Sequence, residues 1–228
     1  MQTTLQILRV SWMMFLINGS MLAQEPIDLI KLLRTNQLSA IHCEISETKY
    51  LDKKCVKVMD TGLDTALKFV KLLPSDFKNG TIEVELSGKP APNAYPGARG
   101  FVGIAFRIQK DNTFECIYLR PSNARAMDQA RRNHTLQYIA HPDYPWHKLR
   151  KESPEMYESY VDLVPGEWTK VKIVVKDEKA RLYVHGNTQP NLVVNDLKLG
   201  ANQQGQIGLW IGPGTEAHFT NLIVKREE

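Results

Sequence analysis

The sequence predicts an all-β protein whose short strands form a sandwich or a barrel. Apolar and polar residues alternate along many short runs, as they do in strands that bury one face. Clusters of Gly, Pro, Asn and Asp separate these runs, and this spacing is typical of turns between strands. No apolar pattern of helical period is long. We therefore expect many strands, short helices only, and one domain.

Residues 1–23 have the pattern of a secretory signal peptide. Arg9 supplies a positive charge, and the apolar stretch VSWMMFLINGSMLA follows it and ends at Ala23. This stretch is too short and too interrupted to span a bilayer. We therefore expect an exported protein, periplasmic or extracellular, with a mature domain of residues 24–228 and no integral membrane segment after cleavage. The alternative is a buried or frayed N-terminal helix.

Charge and cysteine content narrow the class of protein further. The 228 residues include 29 Lys and Arg against 25 Asp and Glu, and the formal charge of +4 is too small for a nucleic-acid-binding composition. The three cysteines allow at most one intrachain disulfide, and none has the CxxC spacing of a zinc site. Cys43 and Cys55 could pair across a hairpin or could remain two buried thiols.

A short helix and a hairpin open the mature region. IDLIKLL predicts the helix at residues 27–33. AIHCEIS at 40–46 and KCVKVMD at 54–60 predict the two strands of the hairpin, which the polar ETKYLDK joins. ALKFVKLL at 66–73 predicts the next strand.

Two strands with clear alternation follow, GTIEVELSG at 80–88 and GFVGIAFRIQ at 100–109. The prolines of the intervening KPAPNAYPGARG exclude a helix or an inner strand there. The second strand places Gly103, Ala105 and Arg107 on the face away from the core, where small side chains let a ligand or an overlying loop approach. The residues predicted to face the core are Ile82, Val84, Leu86, Val102, Ile104, Phe106 and Ile108.

The remaining strands frame a long insertion around residues 121–150, in which SNARAMDQARR at 122–132 predicts a turn of helix. The asparagine, proline and glycine residues between the runs mark the turns. The strands are predicted at TFECIYLR (113–120), HTLQYIA (134–140), YESYVDLV (157–164), EWTKVKIVVKD (167–177), ARLYVHG (180–186), NLVVNDL (191–197), GQIGLWIGPG (205–214) and AHFTNLIVK (217–225).

The last third of the chain resembles the ending of concanavalin A-like sandwich domains. The resemblance lies in EWTKVKIVVKDEKARLYVHG, a Gln-Pro pair at 189–190, and GQIGLWIGPGTEAHFTNLIV. With GFVGIAFR and YLRP, the chain is similar to laminin G-like and 3-keto-disaccharide hydrolase-like domains of exported bacterial proteins. This resemblance covers roughly residues 38–226 and implies an antiparallel two-sheet jelly roll. It also implies ligands on the concave face or its rim, with Arg107, Tyr118 and Arg120 looking into the groove.

The stretch from Tyr118 to Arg150 collects cationic and aromatic residues that suit a saccharide or an acidic glycan. Guanidinium groups bind carboxylates or vicinal hydroxyls through paired hydrogen bonds, and aromatic rings such as Trp146 and Trp210 pack against apolar sugar faces. The alternative is that the arginines satisfy the backbone of a long loop. The candidate ligand-binding residues are Arg107, Tyr118, Arg120, Asn123, Arg125, Arg132, His134, Gln137, Tyr138 and Tyr160.

An enzymatic activity stays open at this stage. The E-x-D-x-x-E run of sandwich-fold glucanases is absent, as are GxSxG and HExxH. Glu115, Glu158 and Asp162 are the candidate catalytic carboxylates. They could equally neutralise nearby arginines or face solvent.

The sequence predicts no cofactor or metal. His134, His141 and His147 are spaced too irregularly to be diagnostic of zinc. The turn containing Asp111 and Asn112 offers oxygen ligands for calcium, but nothing else in the sequence supports a calcium site there. Three functions remain: a saccharide-binding or saccharide-processing domain, a glycoside hydrolase of the 3-keto-disaccharide hydrolase-like type, and a protein-interaction module without a small ligand.

Overall fold

The computed structural model of the protein describes residues 25–62 and 67–227, so the signal peptide predicted at 1–23 lies outside the described residues. The strands form two antiparallel sheets of seven strands each, which confirms the predicted all-β sandwich. The helices are α1 (Leu29–Arg34), α2 (Pro121–Ala124), α3 (Gln129–Asn133) and α4 (Trp146–Glu152). The strands are β1 (Leu38–Ile41), β2 (Cys43–Tyr50), β3 (Lys53–Asp60), β4 (Phe69–Phe77), β5 (Asn79–Pro90), β6 (Val102–Ile108), β7 (Phe114–Leu119), β8 (Leu136–His141), β9 (Glu158–Ser159), β10 (Thr169–Lys176), β11 (Lys179–Val184), β12 (Leu192–Val194), β13 (Gly205–Ile211) and β14 (Thr215–Glu227).

The two sheets enclose one apolar core. The front sheet has the strand order β1-β4-β13-β6-β7-β8-β9, and the back sheet has the order β12-β11-β10-β5-β14-β3-β2. In β5, Ile82, Val84 and Leu86 are buried as their alternation predicts, and Ile104 of β6 and Leu209 of β13 are buried in the same core. Burial of these alternate side chains is the main favourable contribution to folding. No helix of the described residues is long and apolar enough to cross a membrane.

The register of the hairpin formed by β2 and β3 keeps Cys43 and Cys55 apart. Its strands extend further than the sequence indicates, because the turn needs only Leu51 and Asp52, both with positive φ. The register places Cys43 opposite Asp60 and Cys55 opposite Thr48. The two thiols are therefore not paired, and burial raises the pKa of each to about 11.

Between residues 142 and 164, the structure differs from the sequence predictions at two elements, β9 and α4. Only Glu158 and Ser159 of the strand predicted at 157–164 are paired, because β9 lies at the edge of the front sheet and contacts two residues of β8. The helix α4 was not predicted, since WHKLRKE is short and has no marked apolar period. It begins directly after Pro145, whose fixed φ suits the start of a helix.

A β-bulge in β6 overturns the prediction for Arg107. The register between β13 and β6 shifts between Gln206 and Gly208, and Arg107 has a φ of 55°. A bulge adds a residue and redirects its side chain, so the simple alternation fails at this position. The fully buried guanidinium donates to the carbonyls of Lys78, Asp177 and Gly200 at 2.9, 2.7 and 3.1 Å. Arg107 thus anchors the turns at one end of the back sheet and does not look into a groove.

Candidate ligand-binding pocket

A pocket of about 690 Å³ lies over the front sheet. Trp210 of β13 and Tyr118 of β7 form its floor on either side of Gly103 in β6. A Cβ at Gly103 would lie 2.5 Å from the Tyr118 Cβ, so a larger residue does not fit there. The glycine lets the two rings meet, with their centroids 4.6 Å apart. Gly103 and Ala105 of the predicted small-residue face do not themselves line the pocket; Gly103 makes room for the rings that do.

Two chain segments form the walls of the pocket. The loop of residues 91–100 contributes Tyr95 and Arg99, and the insertion of residues 121–150 contributes residues from α2 to α4. At the rim, Tyr95 is 50% exposed and Trp146 is 44% exposed. Most of the lining belongs to residues 118–150, so this basic stretch borders a cleft.

Arg120 lies at the junction of the floor and the wall. Its buried guanidinium donates to the hydroxyl of Tyr118 at 2.8 Å, to Gln137 Oε1 at 2.9 Å and to the carbonyl of His134 at 3.1 Å. It also pairs with Glu158 at 3.1 Å. Arg120 is thus both a lining residue of the pocket and an anchor of the insertion. The two roles that the sequence offered as alternatives for the arginines are combined in this one residue.

Glu158 is the common partner of the cations around this junction. It accepts hydrogen bonds from both Arg120 and Arg150, and His134 Nε2 is 3.5 Å from its carboxylate. Burial raises the pKa of Glu158, but the hydrogen bond and charge of Arg150, helped by Arg120, outweigh it and the net pKa is lowered. The carboxylate therefore stays ionised and holds the two arginines in place.

Trp146 is held over the guanidinium groups of the same cluster. The Arg150 and Arg120 guanidinium carbons lie 4.7 and 5.7 Å from the indole centroid. Cation–π contacts of this kind restrict the ring, and a restricted ring loses less entropy when a ligand packs on it. The exposed part of the indole is thus a fixed apolar surface at the mouth of the pocket.

The ten predicted ligand-binding residues divide between two environments. Tyr118, Arg120, Asn123 and His134 line the pocket. Gln137 is fully buried beneath it, where its side chain bonds Arg120 and the carbonyls of Tyr138 and Tyr157. The residues that do not line the pocket are Arg107, Arg125, Arg132, Gln137, Tyr138 and Tyr160.

Arg125, Arg132 and Tyr160 make contacts of their own on the outside of the insertion. Arg125 pairs with Asp162 at 3.0 Å, and both side chains are more than half exposed. Arg132 donates to the Tyr160 hydroxyl at 3.1 Å and lies over its ring. These three residues join the insertion to residues 160–162 and leave the pocket to others.

The three candidate carboxylates occupy separate surroundings. Glu115 is fully buried, accepts from the Tyr138 hydroxyl and from the Leu199 N–H at 2.9 Å, and does not line the pocket. Burial raises the pKa of Glu115 to about 6. Glu158 is neutralised by arginines, and Asp162 lies in the exposed pair with Arg125. The three candidate carboxylates therefore do not converge on one point, and none of them lines the pocket.

The metal candidates have other contacts. His134, His141 and His147 all line the pocket, but the described residues contain no group of three or more His, Cys, Asp or Glu arranged to hold a metal ion. His141 stacks on Phe114 with ring centroids 5.2 Å apart. Asp111 accepts the N–H of Thr113 at 3.0 Å and closes the turn before β7.

Tyr95, Arg99 and Arg131 also line the pocket, although no pattern in the sequence predicts them as site residues. Tyr95 and Arg99 come from a proline-rich loop whose place beside the pocket depends on the order of strands in the front sheet. Arg131 stood in the basic stretch without a feature that separated it from its neighbour Arg132. On a short helix adjacent residues point in different directions, and only the placement of α3 decides which one faces the pocket.

Comparison with known proteins identifies the fold. No family model matches the chain, and no curated protein matches it by sequence. Among solved structures, the carbohydrate binding module CBM66 from Bacillus subtilis is 12% identical and aligns over 82% of this chain and 93% of its own, with a TM-score of 0.54. A provisionally assigned glycosyl hydrolase from Parabacteroides distasonis is 11% identical over 84% of this chain and 94% of its own, with a TM-score of 0.52. A Bacillus subtilis protein of unknown function with a galectin-like fold is 12% identical over 84% and 90%, with a TM-score of 0.51.

At these identities the likeness establishes the fold alone. The chain has the fold of an antiparallel two-sheet jelly-roll sandwich, as the resemblance of its last third implied.

Proposed function

We propose that this protein is an exported saccharide-binding domain whose ligand occupies the pocket over the front sheet. The observation that carries the proposal is the pocket itself, with the rings of Tyr118 and Trp210 at its floor and the exposed rings of Tyr95 and Trp146 at its mouth. Its volume of about 690 Å³ lies in the range of small-molecule sites, about 300–1,000 Å³. Aromatic rings that are apolar on the face and fixed in place suit the apolar faces of sugar rings.

Polar groups around the floor support a ligand that carries hydroxyls. The indole N–H of Trp210 and the side-chain oxygen of Asn123 have no hydrogen-bond partner among the described residues. Buried polar groups are nearly always paired, and an unpaired one costs free energy. Both residues line the pocket. A sugar hydroxyl can both accept from the indole and donate to the amide oxygen.

The comparisons support a saccharide ligand, and the N-terminal segment supports export. One protein with this fold is named a carbohydrate binding module, and another is provisionally assigned as a glycosyl hydrolase. The signal-like pattern of residues 1–23 supports export. We take a saccharide of the cell exterior or periplasm as the ligand.

The two alternative functions find less support. A glycosidase needs two carboxyl groups about 5–9.5 Å apart at one point of the groove. Asp128 is the one carboxylate among the residues that line the pocket, and it caps α3 by accepting the Arg131 N–H at 2.7 Å. An interaction module without a small ligand would present a flat apolar patch. The polar cleft with aromatic rims favours a saccharide.

Trp146 provides the test of this function. Removal of a stacking ring from a sugar site should weaken binding about tenfold or more, and the Trp146→Ala variant should show this loss. Affinity electrophoresis through gels that contain neutral or acidic polysaccharides would first identify a ligand, and calorimetry would measure the affinity. Tyr160→Ala is the matched control, because Tyr160 is 39% exposed and lies outside the pocket. No retention by any polysaccharide, or an equal loss in both variants, would contradict the proposal.

A further inference from the structure

We infer that the pocket selects saccharides that bear an oxyanion, a carboxylate or a sulfate, and that Arg99 and Arg131 bind this group. The inference rests on the proposed saccharide-binding function. It adds the charge of the ligand and the two residues that recognise it.

The charge of the pocket favours an anion. Among the residues that the structure describes, four arginines line it, and Asp128 is the one acidic residue that does. Arg120 and Arg150 are already bonded to Glu158 behind the wall. Arg99 and Arg131 have no carboxylate partner among the described residues, so their charges remain available to a ligand. In the partly desolvated pocket these charges act more strongly than they would on an open surface.

Arg99 is held in place before a ligand binds. Its Nη1 donates to the carbonyls of Pro96 and Ala98 at 2.8 and 3.0 Å, and its own carbonyl accepts from Ser122 at 3.2 Å. These bonds tie the loop of residues 91–100 to α2 and restrict the guanidinium. The Nε and Nη2 groups make no hydrogen bond to the described residues. A guanidinium that is fixed on one side can bind an oxyanion at a reduced entropic cost.

Arg131 comes from the other wall. It lies in α3, whose first turn is fixed by the side chain of Asp128. That carboxylate accepts the backbone N–H of Arg131, so it is engaged in the helix cap. The side chain of Arg131 belongs to an exposed residue that lines the pocket. A ligand that enters between the two walls thus meets one guanidinium from each.

The remaining free groups at the floor are mostly donors as well. The Tyr118 hydroxyl accepts from Arg120, so its own proton is left to bond a different acceptor. Burial raises the pKa of Tyr118 to about 12, which keeps that proton in place at neutral pH. The Trp210 indole is a donor only, whereas Asn123 offers one unpaired acceptor. A ligand rich in acceptors is the better complement to this set.

Matched acidic and neutral polymers test the inference. We would measure retention by polygalacturonate and by its methyl ester, and by chondroitin sulfate before and after desulfation and carboxyl reduction. Neutral levan, cellulose and arabinan complete the panel. We expect retention by one or more anionic polymers and loss of at least most of it for the neutralised form. The pair that responds identifies the anion as carboxylate or sulfate.

Charge-matched variants locate the anion. Arg131→Gln removes an exposed side chain that has no partner in the described residues, so the fold should survive. It should weaken binding of oligomers of the retained anionic polymer about tenfold, which is the usual size of a charge-assisted hydrogen bond. Arg99→Gln should do the same. Arg226→Gln makes the same charge change at an exposed residue of the back sheet and should leave the affinity unchanged.

The outcomes separate this inference from the function on which it rests. Equal retention by an acidic polymer and its neutralised form, or retention by neutral polymers alone, would overturn the anion inference and leave saccharide binding intact. An Arg131→Gln affinity equal to that of the wild type and of Arg226→Gln would overturn the assignment of that residue. No retention by any polymer would overturn both.

Discussion

At the scale of single residues, Arg120 shows how one buried cation can anchor a loop and shape a binding floor. The sequence places it at the end of a strand, followed by Pro121, and so predicts a position at the rim of the sheet. The structure adds its four partners, which come from β7, β8, β9 and the turn before β8. A buried guanidinium with all of these acceptors in place is costly to remove, because its partners stay behind without donors.

A comparison of two arginine variants tests this role. Arg120→Leu should lower the free energy of unfolding by about 3 kcal/mol, because it leaves a buried carboxylate with one cation fewer. Arg132→Leu should cost less than about 1 kcal/mol, since its contacts are one long part-buried hydrogen bond, one exposed hydrogen bond and a cation–π pair. Urea unfolding followed by fluorescence would measure both values. Similar small losses in the two variants would show that Arg120 does not anchor the insertion.

At the scale of elements, β6 shows where alternation stops being a sufficient guide. Val102, Ile104 and Phe106 are fully buried as the pattern predicts, and Gly103 lies between Trp210 and Tyr118, which line the pocket. The bulge at Arg107 then turns the Arg107 side chain away from the pocket. A bulge depends on the pairing with β13, a strand about a hundred residues further along the chain, so the local sequence alone does not reveal it.

The buried position of Arg107 at the bulge predicts that its replacement lowers stability and leaves ligand affinity unchanged. Arg107→Met should cost about 3 kcal/mol of stability, because the oxygens of Lys78, Asp177 and Gly200 lose buried donors. Arg107→Lys should recover only part of this, since an ammonium cannot reproduce the fork of the guanidinium. Thermal unfolding would measure the loss, and calorimetry with the ligand should give an unchanged affinity for the folded fraction. If Arg107→Met lost binding but kept normal stability, Arg107 would be a ligand-binding residue after all.

At the scale of the whole molecule, each sheet contains a buried group whose pKa is shifted strongly by burial, His218 in the back sheet and Glu115 in the front sheet. His218 of the back sheet stacks on Tyr50 with centroids 3.8 Å apart, and burial lowers its pKa to about 4. Its stabilising contribution is complete above the unfolded pKa of about 6.5 and is lost as the pH falls towards 4. Glu115 of the front sheet behaves in the opposite way. Its pKa is raised to about 6, so its contribution is complete below the unfolded value and is lost as the pH rises through 6.

The His218→Gln variant separates these opposing effects. The wild type should lose about 3 kcal/mol more than the variant between pH 7 and pH 4, because the variant has no imidazole to protonate. Urea unfolding at pH 4, 5, 6 and 7 would give the difference directly, with Glu115 common to both proteins. His185→Gln is the control, since His185 is exposed. Parallel pH profiles for wild type and His218→Gln would show that His218 is not buried in its neutral form.

The sequence by itself determined most of the strands, the short helix near residue 29 and the sandwich, because alternation and turn residues are local properties of the chain. It also marked the stretch from Tyr118 to Arg150 as either a binding site or a loop anchored by arginines, without deciding between them. Only the tertiary structure decided which arginines line the pocket. It directed the Arg107 guanidinium to the turns at one end of the back sheet and added Arg99 and Arg131 to the lining. The physical reason is that a long cationic side chain goes to the nearest unsatisfied carbonyl or carboxylate, and strands and loops that are distant in sequence supply those groups.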